Sequence, residues 1–353
     1  MTFCIGWKDR NFGYIVADSA VTGAGAAPRA VLSSVGEVHQ SGNSGVSIEQ
    51  AALKIFVAGG PMAFAGNVRV GLQIVHSTRS AVISGAGPLA ALHGAVQSVM
   101  PLPLAESVSL IAAYHDGSNP LLVKADTVSG QLQNAGAVCH AGSLGEEHVR
   151  ITRDAIEALT DSDGMDPIAM LASVLAMVQS YGIHFNLINQ GVGGHFSGAL
   201  IGPEAAMWQP DILFLFYNSV VPERPVRCVS STIRGGVHIV ESTISNDKRC
   251  FTNLSSEELD AWKATWLPDL TGGCRNPEPG YVAFVDEGAW RVVLLDMAGR
   301  RVHPDLKLDK PDADPGEPEI GLSEQLRELL YRPLPNDAQF EMRFLPRAVD
   351  DGA

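Results

Sequence analysis

Blocks of short strand-like runs alternate with pairs of helix-period runs along this chain, and that order limits the folds open to it. Residues 3–7 and 12–18 read as two strands joined by the polar turn Lys8-Asp9-Arg10-Asn11. Residues 22–47 are rich in Gly, Ala and Ser without a period and read as a long loop. Residues 54–58 and 62–65 are strand candidates around the turn Gly59-Gly60-Pro61. Gly66-Asn67 then opens an amphipathic helix carrying Val68, Val70, Leu72, Ile74 and Val75, and a second helix covers 89–99. A hairpin pattern follows over 107–114 and 120–124, then a strand at 137–140 and helices over 146–159 and 166–181. Strands return at 196–201 and 211–217.

Strand blocks separated by helix pairs suit two stacked sheets with a helix pair on each outer face. The expected class is therefore α+β. A doubly wound fold would alternate single strands with single helices. From 219 the pattern changes to hairpins, 227–233 with 237–243 and 281–285 with 290–295. An acidic, Pro-rich linker is expected over 305–319 and a short helix over 322–330. The expected division is a domain over 1–218 and a C-terminal extension over 219–353.

Of 353 residues, 46% are apolar and 18% charged, enough for a sizeable core. The net charge of −14 argues against binding to nucleic acid or to anionic membranes. No uninterrupted run of about 18 apolar residues predicts a membrane span, and no basic-then-apolar leader opens the chain. Five cysteines without CxxC spacing fit a reducing, cytoplasmic setting rather than a disulfide framework or zinc cluster. His140, His184 and His195 show no ligand spacing, and no metal or other cofactor is expected.

Thr2 follows Met1 directly. Removal of the methionine would put a hydroxyl and a free α-amine on one residue. A hydroxyl needs an adjacent base to act as a nucleophile, and an α-amine titrating at about 7.7–8.0 suits that task.

The set Met1-Thr2-Phe3-Cys4-Ile5-Gly6, Ile15-Val16-Ala17-Asp18-Ser19, Lys54-Ile55 and Ala63-Phe64-Ala65-Gly66 resembles the proteasome β-subunit family over about the first 218 residues. Gly142-Ser143 and Phe196-Ser197-Gly198 are weaker matches. The resemblance implies a four-layer αββα sandwich of the N-terminal nucleophile hydrolases, and assembly into a homo-oligomeric ring. It implies Thr2 as nucleophile, Lys54 beside it, Asp18 holding that lysine, and Gly66 as an oxyanion N–H donor. Ser143 and Ser197 would surround the terminal amine. Val21, Ala52 and Phe64 would line a specificity pocket for an apolar side chain. The implied reaction is hydrolysis of amide bonds in peptides or unfolded protein. The sequence carries no nucleotide-binding loop, so a separate ATP-dependent unfoldase would be the partner.

The chain departs from the family's pattern in three places. Gly194 stands where an acid is usual, three positions before Ser197, with His195 the nearest group to replace it. Ala20 stands where arginine is usual, and the loop before Lys54 is longer. These departures motivate a second reading, a catalytically silent ring or interaction subunit. A third takes Ala141-Gly142-Ser143-Leu144-Gly145 as a nucleophile elbow served by a downstream acid and histidine, for example Asp211 and His238.

Overall fold

The computed structural model describes residues 2–24, 31–39, 46–50, 52–57, 59–160, 164–271, 280–296, 302, 306–307 and 340–342. A hairpin opens it, β1 (Phe3–Asp9) with β2 (Phe12–Ala17), and the polar turn between them holds Arg10 at φ 49°. The loop expected over 22–47 contains four short strands instead. They are β3 (Ala20–Ala24), β4 (Val31–Leu32), β5 (Val38–His39) and β6 (Val46–Gln50), with β3 paired to β6 and β4 to β5. β7 (Ile55–Val57) and β8 (Pro61–Gly66) lead into α1 (Val68–Ile83) and α2 (Pro88–Val99). The Asn67 side chain caps α1 by accepting the Val70 N–H.

β9 (Val108–His115), β10 (Pro120–Asp126), β11 (Leu132–Asn134) and β12 (Val138–Gly142) precede α3 (Glu146–Thr160) and α4 (Pro167–His184). Pro167 opens α4, and the Asp166 carboxylate accepts the Ile168 and Ala169 N–H groups. The remainder comprises β13 (Ser197–Ile201), β14 (Ala206–Trp208), β15 (Ile212–Tyr217), β16 (Arg227–Arg234), β17 (Val237–Ser242) and β18 (Asp247–Thr252). It ends with α5 (Ser256–Thr271), β19 (Tyr281–Asp286), β20 (Arg291–Asp296), β21 (Leu306–Lys307) and β22 (Phe340–Met342). The helix expected over 322–330 lies outside the described residues, as does the linker over 305–319 apart from β21.

The class is α+β. One sheet has the order β12-β1-β2-β13-β14 and a second the order β11-β10-β9-β8-β7. The period-2 alternation of each strand assigns its two faces. On β8, Ala63 and Ala65 face the first sheet, while Met62 and Phe64 face α1 and α2. On β1 and β2, Cys4, Ile15 and Ala17 face the second sheet, and Phe3, Ile5, Trp7, Tyr14 and Val16 face α4. The sheet-to-sheet interface mixes small residues, Ala113, Ala141 and Ala199 among them, with the branched side chains of Ile15, Ile55, Ile111, Leu122 and Ile201. The buried aromatic residues of these strands lie on the helix sides, where Trp7 stacks on Tyr14 with ring centroids 4.7 Å apart.

A third sheet, β21-β20-β19-β15-β16-β17-β18-β22, covers the far side of α4. Phe214, Phe216, Val285 and Leu294 join α4 and the first sheet in one core. Every residue from Ala169 to Gly182 is therefore buried, although Ser173, Gln179 and Ser180 lie among them. α4 is long and apolar enough to cross a membrane, but its all-round burial between two sheets accounts for that composition. β15 pairs with β16 and, in parallel, with β19. The third sheet therefore begins at Ile212, ahead of the boundary at 219 read from the hairpin pattern.

Candidate active site

Antiparallel pairing brings six strand ends to one edge of the two stacked sheets. The N-terminal end of β1 lies between the C-terminal ends of β12 and β2, and the N-terminal end of β13 lies beyond β2. In the second sheet, Ile55 opposes Ala63, so Lys54 before β7 and Gly66 ending β8 share an end. The Cys4 thiol donates to the Phe64 carbonyl at 3.3 Å and joins the two sheets near this edge.

Thr2 is 6% exposed, Asp18 0% and Lys54 1%. The Lys54 ammonium donates to Thr2 Oγ1 at 3.2 Å, to Asp18 Oδ1 at 2.7 Å and to the Ala20 carbonyl. Three acceptors match its three protons. Asp18 Oδ1 also accepts the Phe3 N–H at 3.1 Å, and Oδ2 accepts the Gly193 N–H at 3.1 Å. A buried ion pair persists when hydrogen bonds satisfy its remaining lone pairs, as they do here. The Ala20 carbonyl is thus one of the lysine's anchors. The backbone beside it is fixed in turn, because the Ala52 N–H donates to the Ser19 carbonyl at 3.1 Å.

Thr2 is held from the other side by β12. Its carbonyl accepts the Ser143 N–H at 3.1 Å. Gly142, at φ 124°, leaves room for that carbonyl, since a Cβ there would stand 1.8 Å from the Thr2 oxygen. Ser143 is exposed and contributes its main chain. Ser197 is buried at the start of β13, opposite Ala17 and one strand removed from Thr2. Gly66 is exposed and immediately precedes the capped start of α1.

Of the proposed pocket residues, Val21 is half-buried on β3 and Ala52 is buried beside Ser19. Phe64 is placed elsewhere. It is wedged between the second sheet and α1, its ring 5.9 Å from that of Phe56 and against Gly71. The alternation of β8 turns it into the helix-facing core, so it does not form the floor of a site at the strand ends.

His195 does not replace the acid missing at Gly194. Its N–H donates to Ser19 Oγ, but its ring is fully buried against Phe214 and His238 beneath the third sheet. Burial holds it neutral, well below the ordinary histidine range. A carboxyl does reach Gly194 from a source the sequence reading missed. Glu37 Oε2, from the 22–47 insertion, accepts the Gly194 N–H at 2.6 Å. Burial lifts this carboxyl to about 8, against the lowering effects of Gly194 N–H and Ser33, with the Asp18 charge adding to the rise.

The nucleophile-elbow reading of Ser143 fails on geometry. Asp211 is paired bidentately with Arg234, and His238 Nε2 lies 2.9 Å from Ser231 Oγ. Both partnerships are in the third sheet rather than at the end of β12. Among the described residues no cluster of three or more His, Cys, Asp or Glu is arranged to hold a metal.

No protein-family model and no curated protein matches this chain. Among solved structures, it is similar to a Gly-1 mutant of Anbu from Hyphomicrobium sp. strain MC1. The identity is 11%, over 57% of this chain and 83% of that one, with a TM-score of 0.39. A likeness of that size carries no argument about chemistry, which is left to the side chains described above.

Proposed function

We propose that this chain is an N-terminal-threonine amide hydrolase of proteasome-like type. The observation that carries the reading is the Lys54 ammonium, buried between Asp18 and the Thr2 hydroxyl, 3.2 Å from the oxygen that would attack. Removal of Met1 frees the Thr2 amine. That amine takes the hydroxyl proton as Oγ1 adds to the substrate carbonyl. The ammonium stabilises the charge on Oγ1, and Asp18 keeps the ammonium in place. Gly66 is the proposed N–H donor to the carbonyl oxygen, and loss of one such donor costs about 2.7–4 kcal/mol of barrier in other hydrolases. The amine returns its proton to the leaving nitrogen, and water then cleaves the ester left on Thr2.

The layer order of helix pair, sheet, sheet, helix pair supports assigning the N-terminal part to the αββα nucleophile hydrolases. On this reading Val21 and Ala52 border the substrate side chain. Peptides or unfolded protein are the substrate, the working form is a cytoplasmic ring, and a separate unfoldase delivers folded substrates. Turnover of fluorogenic peptides by the unsubstituted chain and by Thr2→Ala tests the reading. It predicts activity only in the former. Equal turnover would reject Thr2 as nucleophile, while a defined oligomer inert in both forms would favour the silent-subunit reading.

A further inference from the structure

Glu37 is a buried carboxyl, 3% exposed. Its turn is built to present it. The Ser33 N–H donates to the Glu37 carbonyl at 2.9 Å, and Ser33 Oγ accepts the Glu37 N–H at 3.0 Å. The carboxyl fits against two glycines. A Cβ on Gly193 would stand 2.6 Å from Glu37 Oε1, and Gly194 supplies the N–H bound to Oε2. The Gly193 N–H binds Asp18, and the Gly193 carbonyl accepts the N–H groups of Ser19 and Ala20. One dipeptide therefore joins Glu37 to the carboxylate that holds Lys54. The Gly194 carbonyl accepts from Gln179 of α4, which keeps the dipeptide from drifting.

The third sheet fastens the turn from outside. Ser242 Oγ at the end of β17 donates to the Ser34 carbonyl, and Arg249 Nη2 on β18 donates to the Leu32 carbonyl at 3.1 Å. Among the described residues, few groups face Glu37 from other elements. Asp18 lies beyond the dipeptide, Gly182 of α4 is uncharged, and the His195 ring turns toward Phe214. The Arg227 guanidinium of β16 lies beside Gly36 and is already paired with Glu287.

We propose that Glu37 is a positioning residue of the Thr2 centre, brought in by the insertion and locked there by the third sheet, so that it sets the placement of Asp18 and Lys54 through Gly193-Gly194. The inference rests on the Thr2 reading for its effect on reactivity, but not for the coupling of Glu37 to Asp18. It gives the C-terminal sheet a role in the site without contact with substrate.

Two measurements on the full chain test it. The first is the rate at which an electrophile selective for N-terminal threonine labels Thr2, between pH 6 and 9. Glu37→Ala should slow labelling about ten- to hundredfold, as displacement of a reacting geometry does. Glu37→Gln keeps an acceptor for Gly194. Both chains carry the rise that the Thr2 amine gives near pH 8, so the rate of Glu37→Gln relative to the unsubstituted chain should stay near one at pH 6 and depart from one as the Glu37 carboxyl ionises above about 8. Equal rates in all three across the range would overturn the proposal. The second follows the Gly193 and Gly194 amide resonances with pH. Both should titrate near 8 and stop doing so in Glu37→Gln. A Gly193 resonance indifferent to that substitution would overturn the proposal. If Thr2 never labels, the hydrolase reading fails, and the Gly193 resonance alone decides the coupling.

Discussion

Glutamine at position 37 should change how stability depends on pH in a way that can be calculated. The Glu37 carboxyl is held at about 8 in the fold, against an ordinary 4.5. Between those values the folded chain keeps a proton that the unfolded chain releases. Stability from this group is therefore complete below pH 4.5 and is lost as pH rises through 8. Each pH step over that window removes about 1.4 kcal/mol, for a total of about 5 kcal/mol. Glu37→Gln carries no such dependence. Its stability relative to the unsubstituted chain should be unchanged near pH 4.5, rise by about 1.4 kcal/mol per pH step to pH 8, and then level off. Urea unfolding at pH 5, 6, 7, 8 and 9 reads this directly as a divergence of midpoints at similar slope. Parallel curves for the two proteins would mean that Glu37 is solvated, and the clamp described here would be wrong.

Lys54→Met strands a fully buried Asp18 and should lower stability by about 3–5 kcal/mol. Adding Asp18→Asn should restore part of that loss in denaturant unfolding, whereas additive losses would place the two groups apart. His238 is held down at about 3 by burial. Unlike Glu37 it disfavours protonation in the fold, so stability should fall as pH drops from 6.5 toward 3, and His238→Gln should flatten that acid limb in thermal melts. Phe214→Ala opens the core shared by α4 and the third sheet and should cost about 3–5 kcal/mol within a single unfolding transition. An early separate transition would mean that the third sheet unfolds on its own.

The N-terminal layers were legible because their large residues follow clean periods. β1, β2 and β8 are apolar on both faces, with their aromatic residues at alternate positions, and α1 and α3 each carry one apolar stripe. Thr2, Asp18 and Lys54 were singled out by the resemblance, and antiparallel pairing gathers the strand ends on which they stand. Phe64 was misplaced because the resemblance assigned it to a pocket, while its parity on β8 sends it to α1. Glu37 was invisible because the 22–47 segment has no period, and its bond to Gly194 spans 157 residues. The sequence marks the place only by Gly194, where the resemblance leads one to expect an acid. The third sheet was read as separate hairpins since nothing local announces that β15 and β19 run parallel. β18 and α5 were not identified at all. α5 has no clean apolar stripe; it buries Leu259 and Trp262 against β17 and β18.

Intact-mass analysis after exposure to a threonine-selective electrophile, followed by peptide mapping, tests the central claim most directly. The account predicts that Met1 is absent, that one adduct sits on Thr2, and that Thr2→Ala and Lys54→Met remain unlabelled. A mature chain that retains Met1, or an adduct that forms equally in Thr2→Ala, would contradict it.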